Sequence, residues 1–344
     1  MSAKKILPED IRNQGDPKAD SAFQYLYHDP QVYKEFLQIS SNKTLVLFGE
    51  NYKELTSFID EIQLPGNVDH VRLKNGARFF EKNAQSILPI LGFYSLPYCY
   101  AGARGARVLF HSKRLLNDPF NRLIETAQFV FDVCKSGAFE DYSNGLVSIA
   151  KVRLMHAAAR HYTSKDITDE TPVNQQDMIG TLLSFSLLVI RGLRKLGISM
   201  TKREIDGYVY LWNVIGAGLG IKLQYLPSSI AVASKLEAEI RKSEFIQSEE
   251  GIALTRALLL SYKASSPSMP LLNPADLVDF FLGEEVSKVL GIPSRAWKKD
   301  LIGLGLNVQS TISQFGDKHF REILKQFDLV KKENGINPAF KFAL

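Results

Sequence analysis

The stretch KVRLMHAAARHY, residues 151–162, sets Arg153, His156 and Arg160 three and then four residues apart, so that they share one helical face in an otherwise apolar and alanine-rich segment. Guanidinium groups one turn either side of an imidazole disfavour its protonation. His156 is therefore expected as the neutral ring, the form that lends a lone pair to a metal. Ala157, Ala158 and Ala159 leave room beside it for something broad and flat. A haem meets each of these conditions, with a histidine for the iron, cations for the propionates and small residues where the macrocycle approaches. A solvated basic helix face has the same spacing, and the pattern alone leaves both readings open.

A second group, Arg122, Glu125, Thr126 and Phe129, falls at i, i+3, i+4 and i+7. Facing solvent, it is a local ion pair worth about half a kcal/mol. Facing inward, it is a set of donors and a potential acid or base directed at bound oxygen or substrate. Asn174, Asp177, Thr181 and Ser184 run as a polar stripe through a very apolar segment. Buried polar groups need partners, and an arginine of the His156 helix is a candidate for Asp177, although the helix dipole alone also favours a carboxylate in a first turn. Tyr208, Trp212 and Asn213 sit near one side of a further helix, a spacing more typical of core than of a cofactor contact.

The remaining histidines, His28, His70, His111, His161 and His319, are scattered, without an H-E-x-x-H pair or zinc-ligand spacing. Neither a G-x-S-x-G elbow nor a P-loop is present. The G-A-G-L-G at 216–220 follows a helix, not a strand, and lacks the rest of the dinucleotide fingerprint.

The elements that must hold these groups are helical by periodicity. Asn117-Asp118-Pro119 opens a helix through NRLIETAQFVFDVCK that stops at Ser136-Gly137. The next starts near Gly145. Thr171-Pro172 is expected to start a third, running through DMIGTLLSFSLLVIRGLRKL to Gly197, and Thr201 with Glu204 forms a capping box for a fourth. These four form the expected central bundle. Flanking helical regions lie around 22–37 and 54–62 and after Ser229, Glu250 and Asn273-Pro274. Thr44–Phe48 and Val108–Phe110 read as short strands, too brief for a sheet, and no strand alternates with helices as a βαβ fold requires. Ser164–Glu170 and Ser265–Pro270 read as exposed loops. The expected fold is all-α and a single globular unit, with an N-terminal helical extension over 1–80 packed on a core formed by 81–344.

Composition is compatible with this. The 344 residues are 45% hydrophobic and 23% charged, with 42 Lys and Arg against 37 Asp and Glu for a net charge of +5. Disorder and coiled-coil classes are excluded, and the basic residues are spread without the dense block of a nucleic-acid footprint. Cys99 and Cys134 are too few and too far apart for a disulfide scaffold or a C-x-x-C site. With a charged N-terminus lacking an apolar h-region, they point to a cytoplasmic protein. The longest uncharged run, Asn83–Ala103, could span a bilayer by length, but Pro89, Gly92, Pro97 and Gly102 make it a buried loop and short helix lining a pocket, and no transmembrane segment is expected. Oligomeric state is not legible.

Four blocks in order, NRLIETAQFVFD, KVRLMHAAARHYT, VNQQDMIGTLLSFS and YVYLWNVIGAGLGI, resemble the latex clearing proteins. These rubber oxygenases are grouped with the MpaB-type oxygenase of mycophenolic acid biosynthesis. The resemblance is clear from about Gly92 to Ile221 and fainter to about Leu290. It implies a globin-like helical core around one b-type haem. By resemblance His156 is the iron ligand, Arg153 and Arg160 are the arginines around it, and Arg122 and Thr126 are the distal arginine and threonine; Asp177, as the expected partner of one of those arginines, joins His156, Arg153 and Arg160 as a cofactor-binding candidate. Glu125 departs from the family, where lysine is usual, and 102–107 offers no counterpart of an upstream acidic base, which argues against polyisoprene as substrate. The expected function is a haem b-dependent oxygenase that uses O2 to cleave a C=C bond of an apolar, isoprenoid-type small molecule, with Arg122, Glu125 and Thr126 as catalytic candidates and 84–103 lining the substrate channel. The alternatives are a peroxide-using or monooxygenating haem enzyme, and a noncatalytic haem-binding or helical interaction protein.

Overall fold

The computed structural model describes residues 6–265 and 273–293, together with 325, 328–330 and 332. Among them, regular structure is helical throughout, and the one β-type contact is an isolated bridge between Gly102 and Phe245. The order is α1 (Pro17–His28), α2 (Pro30–Gln38), α3 (Asn42–Asn51), α4 (Lys53–Ile62), α5 (His70–Ile90), a π-turn (Leu91–Ser95), α6 (Leu96–Ala101), α7 (Ala103–His111), α8 (Arg114–Asn117), α9 (Pro119–Cys134) and α10 (Gly145–Thr163). It continues with α11 (Gln175–Phe185), α12 (Leu187–Lys195), α13 (Lys202–Gly218), α14 (Ile230–Glu244), α15 (Glu249–Ser265), α16 (Pro274–Leu282) and α17 (Glu284–Val289).

Many of these starts are written locally. Asp118 accepts from the Asn121 amide with Pro119 in the first turn of α9, Thr201 and Glu204 close their box at α13, and Ser229 and Asn273 cap α14 and α16. Other boundaries differ from the sequence expectation. Asn174, not Thr171, caps the third bundle helix, which breaks at Ser186 into α11 and α12. The Ser186 hydroxyl donates back to the Leu182 carbonyl at 2.8 Å, a competing bond that loosens the helix there. Thr44–Phe48 is helical within α3, where the Ser41 cap and the buried Leu45 and Phe48 set a helical period, and Val108–Phe110 lies in α7. Asn83–Ala103 is helix and π-turn instead of loop, with Pro89 carried inside α5. The boundary expected at 80/81 falls inside α5, and most of the loop expected at 265–270 lies outside the described residues.

Two helices are apolar on nearly every side and therefore run through the interior. Along α10, from Gly145 to Thr163, most residues are buried, including Arg153 and Arg160, and Tyr162 near its end is exposed. The stretch Gln175–Lys195 is the one among the described residues long and apolar enough to cross a membrane, and 78% of its most apolar window is buried inside the protein, as in a core helix. Around these, α5 packs across α13. At that crossing a Cβ on Gly76 would overlap the Gly207 carbonyl oxygen, so the backbones touch with no side chain between them. Gly76→Ala should therefore force the pair apart and lower stability by about 1–3 kcal/mol in urea or thermal unfolding.

Candidate active site

Helices α6, α7, α9, α10, α11 and α14 line a cavity of about 580 Å³ with mainly apolar walls, within the range of small-molecule and cofactor sites. His156 faces it from α10, flanked by Met155, Ala158 and Ala159. Ala157 instead packs in the core. The His156 ring is half-buried at the cavity wall, and its Nδ1 is sealed from solvent without a hydrogen-bond partner. Its pKa is driven down to about 3, chiefly by burial, with Arg160 adding the next push and Arg122 and Arg153 smaller ones against an opposing Asp16. The ring is neutral.

The α9 face turns inward. Arg122, Glu125, Thr126 and Phe129 all line the same cavity. The Arg122 guanidinium donates to Glu125 Oε2 and reaches Met155 Sδ at 3.8 Å on α10, tying the two helices together at the site. Thr126 donates its hydroxyl proton to the Arg122 carbonyl at 2.8 Å, so what remains for the cavity is an acceptor.

The two α10 arginines do not line this cavity, although they lie on the same helix face as His156. Arg153 is 2% exposed. It spends Nε and Nη2 on Asp16 at 2.7 and 2.9 Å, Nη2 also on Glu61 at 2.7 Å, and Nη1 on the Gly218 carbonyl at 3.3 Å. Four of its five N–H donors are thus spent on protein acceptors, and in this structure it is turned to Asp16 and Glu61 and not to the cavity. Arg160 pairs with Asp20 at 2.7 Å and with the Val173 carbonyl at 3.2 Å, but keeps its Nη2 buried and unpartnered.

Asp177 lines the cavity, and its partner is not an α10 arginine but Arg12, at 3.0 Å. Because Asp16 and Asp20 occupy the α10 arginines, Asp177 is left to the N-terminal segment. Its Oδ2 stays buried without a partner. Burial raises the Asp177 pKa to about 6 against the pull of Arg12, and Glu170 and Glu244 add to the rise. Thr181 and Ser184 bond back into their own helix. Trp212 reaches the cavity wall, whereas Tyr208 bonds the Phe185 carbonyl and Asn213 the Pro227 carbonyl, both as structural contacts. Of the channel expected from 84–103, residues from Leu96 onward contribute to this cavity, whereas Ala84, Ile87, Ile90, Leu91, Phe93 and Tyr94 pack in the core.

The polar end of the cavity was missed in the sequence. Arg12 holds Glu170 at 2.5 Å and approaches Glu244 at 3.2 Å, Arg104 and Gln176 also grip Glu244, and Glu237 accepts from Tyr98 and Arg191. These partners are far apart in the chain, and the one local signal is that Glu237 and Glu244 lie a heptad apart on α14. The raised Asp177 pKa has a stability consequence. Its contribution is full below the ordinary carboxyl pKa of 3.8 and is lost as pH rises through about 6. Urea-unfolding free energies of the wild type should accordingly fall relative to those of Asp177→Asn as pH rises from about 4 to 7; parallel profiles would contradict this assignment.

Residues 95–304 match the family described as ER-bound oxygenase mpaB/B'/Rubber oxygenase, catalytic domain. The chain is 24% identical over 259 residues to the rubber oxygenase of Streptomyces sp. (strain K30). That alignment covers 72% of this chain and 63% of the relative, so this chain spans less than two thirds of the relative's length. The fold is similar to that of latex clearing protein in its closed state, with a TM-score of 0.76 and 22% identity over 94% of this chain and 92% of that one. The family match takes in more than half of the sequence and includes α9, α10 and α11 with the residues they present to the cavity, and the chain belongs to the mpaB/B' and rubber oxygenase catalytic-domain family.

Proposed function

We propose that this protein is a haem b-dependent oxygenase acting on an apolar, isoprenoid-type substrate, with oxidative cleavage of a C=C bond by O2 as its reaction. The observation that carries the reading is His156, a neutral histidine on the wall of a 580 Å³ apolar cavity shared with Arg122, Glu125 and Thr126. Membership of an oxygenase family supports it.

The residues fit the cofactor in several respects. His156 presents a neutral ring with no competing protein partner, and Ala158 and Ala159 keep the wall beside it low; Arg160, with its Nη2 buried and unpartnered, lies behind that wall on the same helix. Bound at His156, haem iron would supply the redox chemistry with O2. The protein's own contribution is binding, orientation and proton handling. Arg122 directs a cation at the cavity, and such preorganised charge acts strongly where water is excluded. Glu125, held by Arg122, is placed to accept or return a proton. Thr126 offers an oxygen lone pair, and the apolar side chains Leu123, Phe129 and Met155 exclude water around the substrate.

Purified protein should show a Soret band that His156→Ala abolishes; a colourless wild type that takes up no added haemin would refute the haem assignment. With haem bound, Arg122→Ala and Glu125→Gln should keep the Soret band but lower product formation by roughly 10²-fold or more. Unchanged turnover in both variants would favour a noncatalytic haem protein. Label from peroxide in place of O2 in the product would favour the peroxide-using alternative.

A further inference from the structure

The inner wall of the cavity carries a phenol that the proposed reaction does not use. Tyr100, on α6, lines the cavity and is 1% exposed, and its hydroxyl has no hydrogen-bond partner. Two residues earlier on the same helix, Tyr98 also lines the cavity, but its hydroxyl is satisfied by Glu237. Tyr262 has an unpartnered hydroxyl too, yet it does not line the cavity. Tyr100 is thus a buried phenol on this wall with its donor unspent.

The backbone that carries it has little freedom to find a protein acceptor. Helix α15 presses on α6 at Gly251, where an added Cβ would collide with the Tyr100 carbonyl oxygen. Burial also pushes the phenol pKa upward, with Cys99 adding to the rise and Arg122 opposing it, so the group keeps its proton. Arg122 lines the same cavity. An orphaned, protonated hydroxyl on a cavity wall is a defect in the empty protein and a donor once an acceptor arrives.

We propose that Tyr100 is a specificity-determining residue whose hydroxyl donates to an oxygen carried by the apolar molecule in the cavity, so that oxygen-bearing apolar substrates are preferred to plain hydrocarbons. This rests on the reading of the cavity as the substrate site. A hydrocarbon would bury the phenol still unpaired, and a carbonyl or ether oxygen at that point would satisfy it. A site built to hydrogen-bond an oxygen discriminates against the analogue that lacks one.

The test uses haem-loaded protein, calorimetry and a matched pair of probes, geranylacetone and the hydrocarbon in which a methylene replaces its carbonyl oxygen. Wild type should bind the ketone roughly three- to tenfold more tightly than the hydrocarbon. Tyr100→Phe should erase that preference by weakening the ketone alone. Its melting temperature should be equal to or above that of wild type, because the removed hydroxyl has no partner to lose. A preference that persists in Tyr100→Phe overturns the assignment, as does a variant that melts lower and binds both probes equally less well, the behaviour of a structural hydroxyl. Equal wild-type affinity for both probes overturns the role of Tyr100 and leaves the cavity as a binding site. Failure of wild type to bind either probe overturns the cavity reading itself.

Discussion

Burying two guanidinium groups on one interior helix is the constraint around which the rest of this fold is arranged. Helix α10 must be apolar on nearly all sides to run through the core, yet it carries Arg153 and Arg160 into that core. An unpaired buried cation is too costly to persist, so each must meet a carboxylate where it lies. The N-terminal segment supplies them as Asp16 and Asp20, with Glu61 of α4 completing the set. The chain from 11 to 20 is thereby drawn across the far side of α10. It is tied down further by backbone hydrogen bonds from Thr171 to Arg12 and from Gln175 to Gln14.

This arrangement decides the chemistry of the cavity indirectly. Once Asp16 and Asp20 engage the α10 arginines, Arg12 of the same segment arrives beside Asp177, Glu170 and Glu244 and becomes the cation for that acidic end. The arginines remain close enough to oppose a proton on His156, while burial does most of that work. At the polar end of the cavity Asp177 and Glu244 are paired with Arg12 and Glu237 with Arg191, and the rest of the lining is a neutral imidazole, an Arg122–Glu125 pair and mainly apolar side chains. Such walls suit a bulky, uncharged guest better than an ion.

Local signals carried much of the helical framework. Asp118-Pro119, Thr201 with Glu204, Ser229 and Asn273-Pro274 each satisfy orphan amides within three residues, so their helices start where the sequence says. The misreadings came where local and tertiary forces compete. Thr44–Phe48 is rich in β-branched and aromatic residues, yet its cap and its contacts make it helix. Asn83–Ala103 holds two prolines and two glycines and still remains mostly helical, because packing against neighbours outweighs propensity. Ser186 interrupts an apolar run that periodicity alone reads as continuous.

The site divides in the same way. Spacing along α9 and α10 placed Arg122, Glu125 and Thr126 on one face and His156 between two arginines, because a helix fixes which residues neighbour one another at i+3 and i+4. Whether those faces turn to solvent or to a cavity is a matter of how helices pack, and only the tertiary structure decided it. It turned α9 inward, took Arg153 away from the cavity into a pair with Asp16, and gave Asp177 to Arg12, 165 residues away in the chain. Helical period determines neighbours within a turn or two; the partner of a buried charge is determined by whichever distant segment the core brings to it.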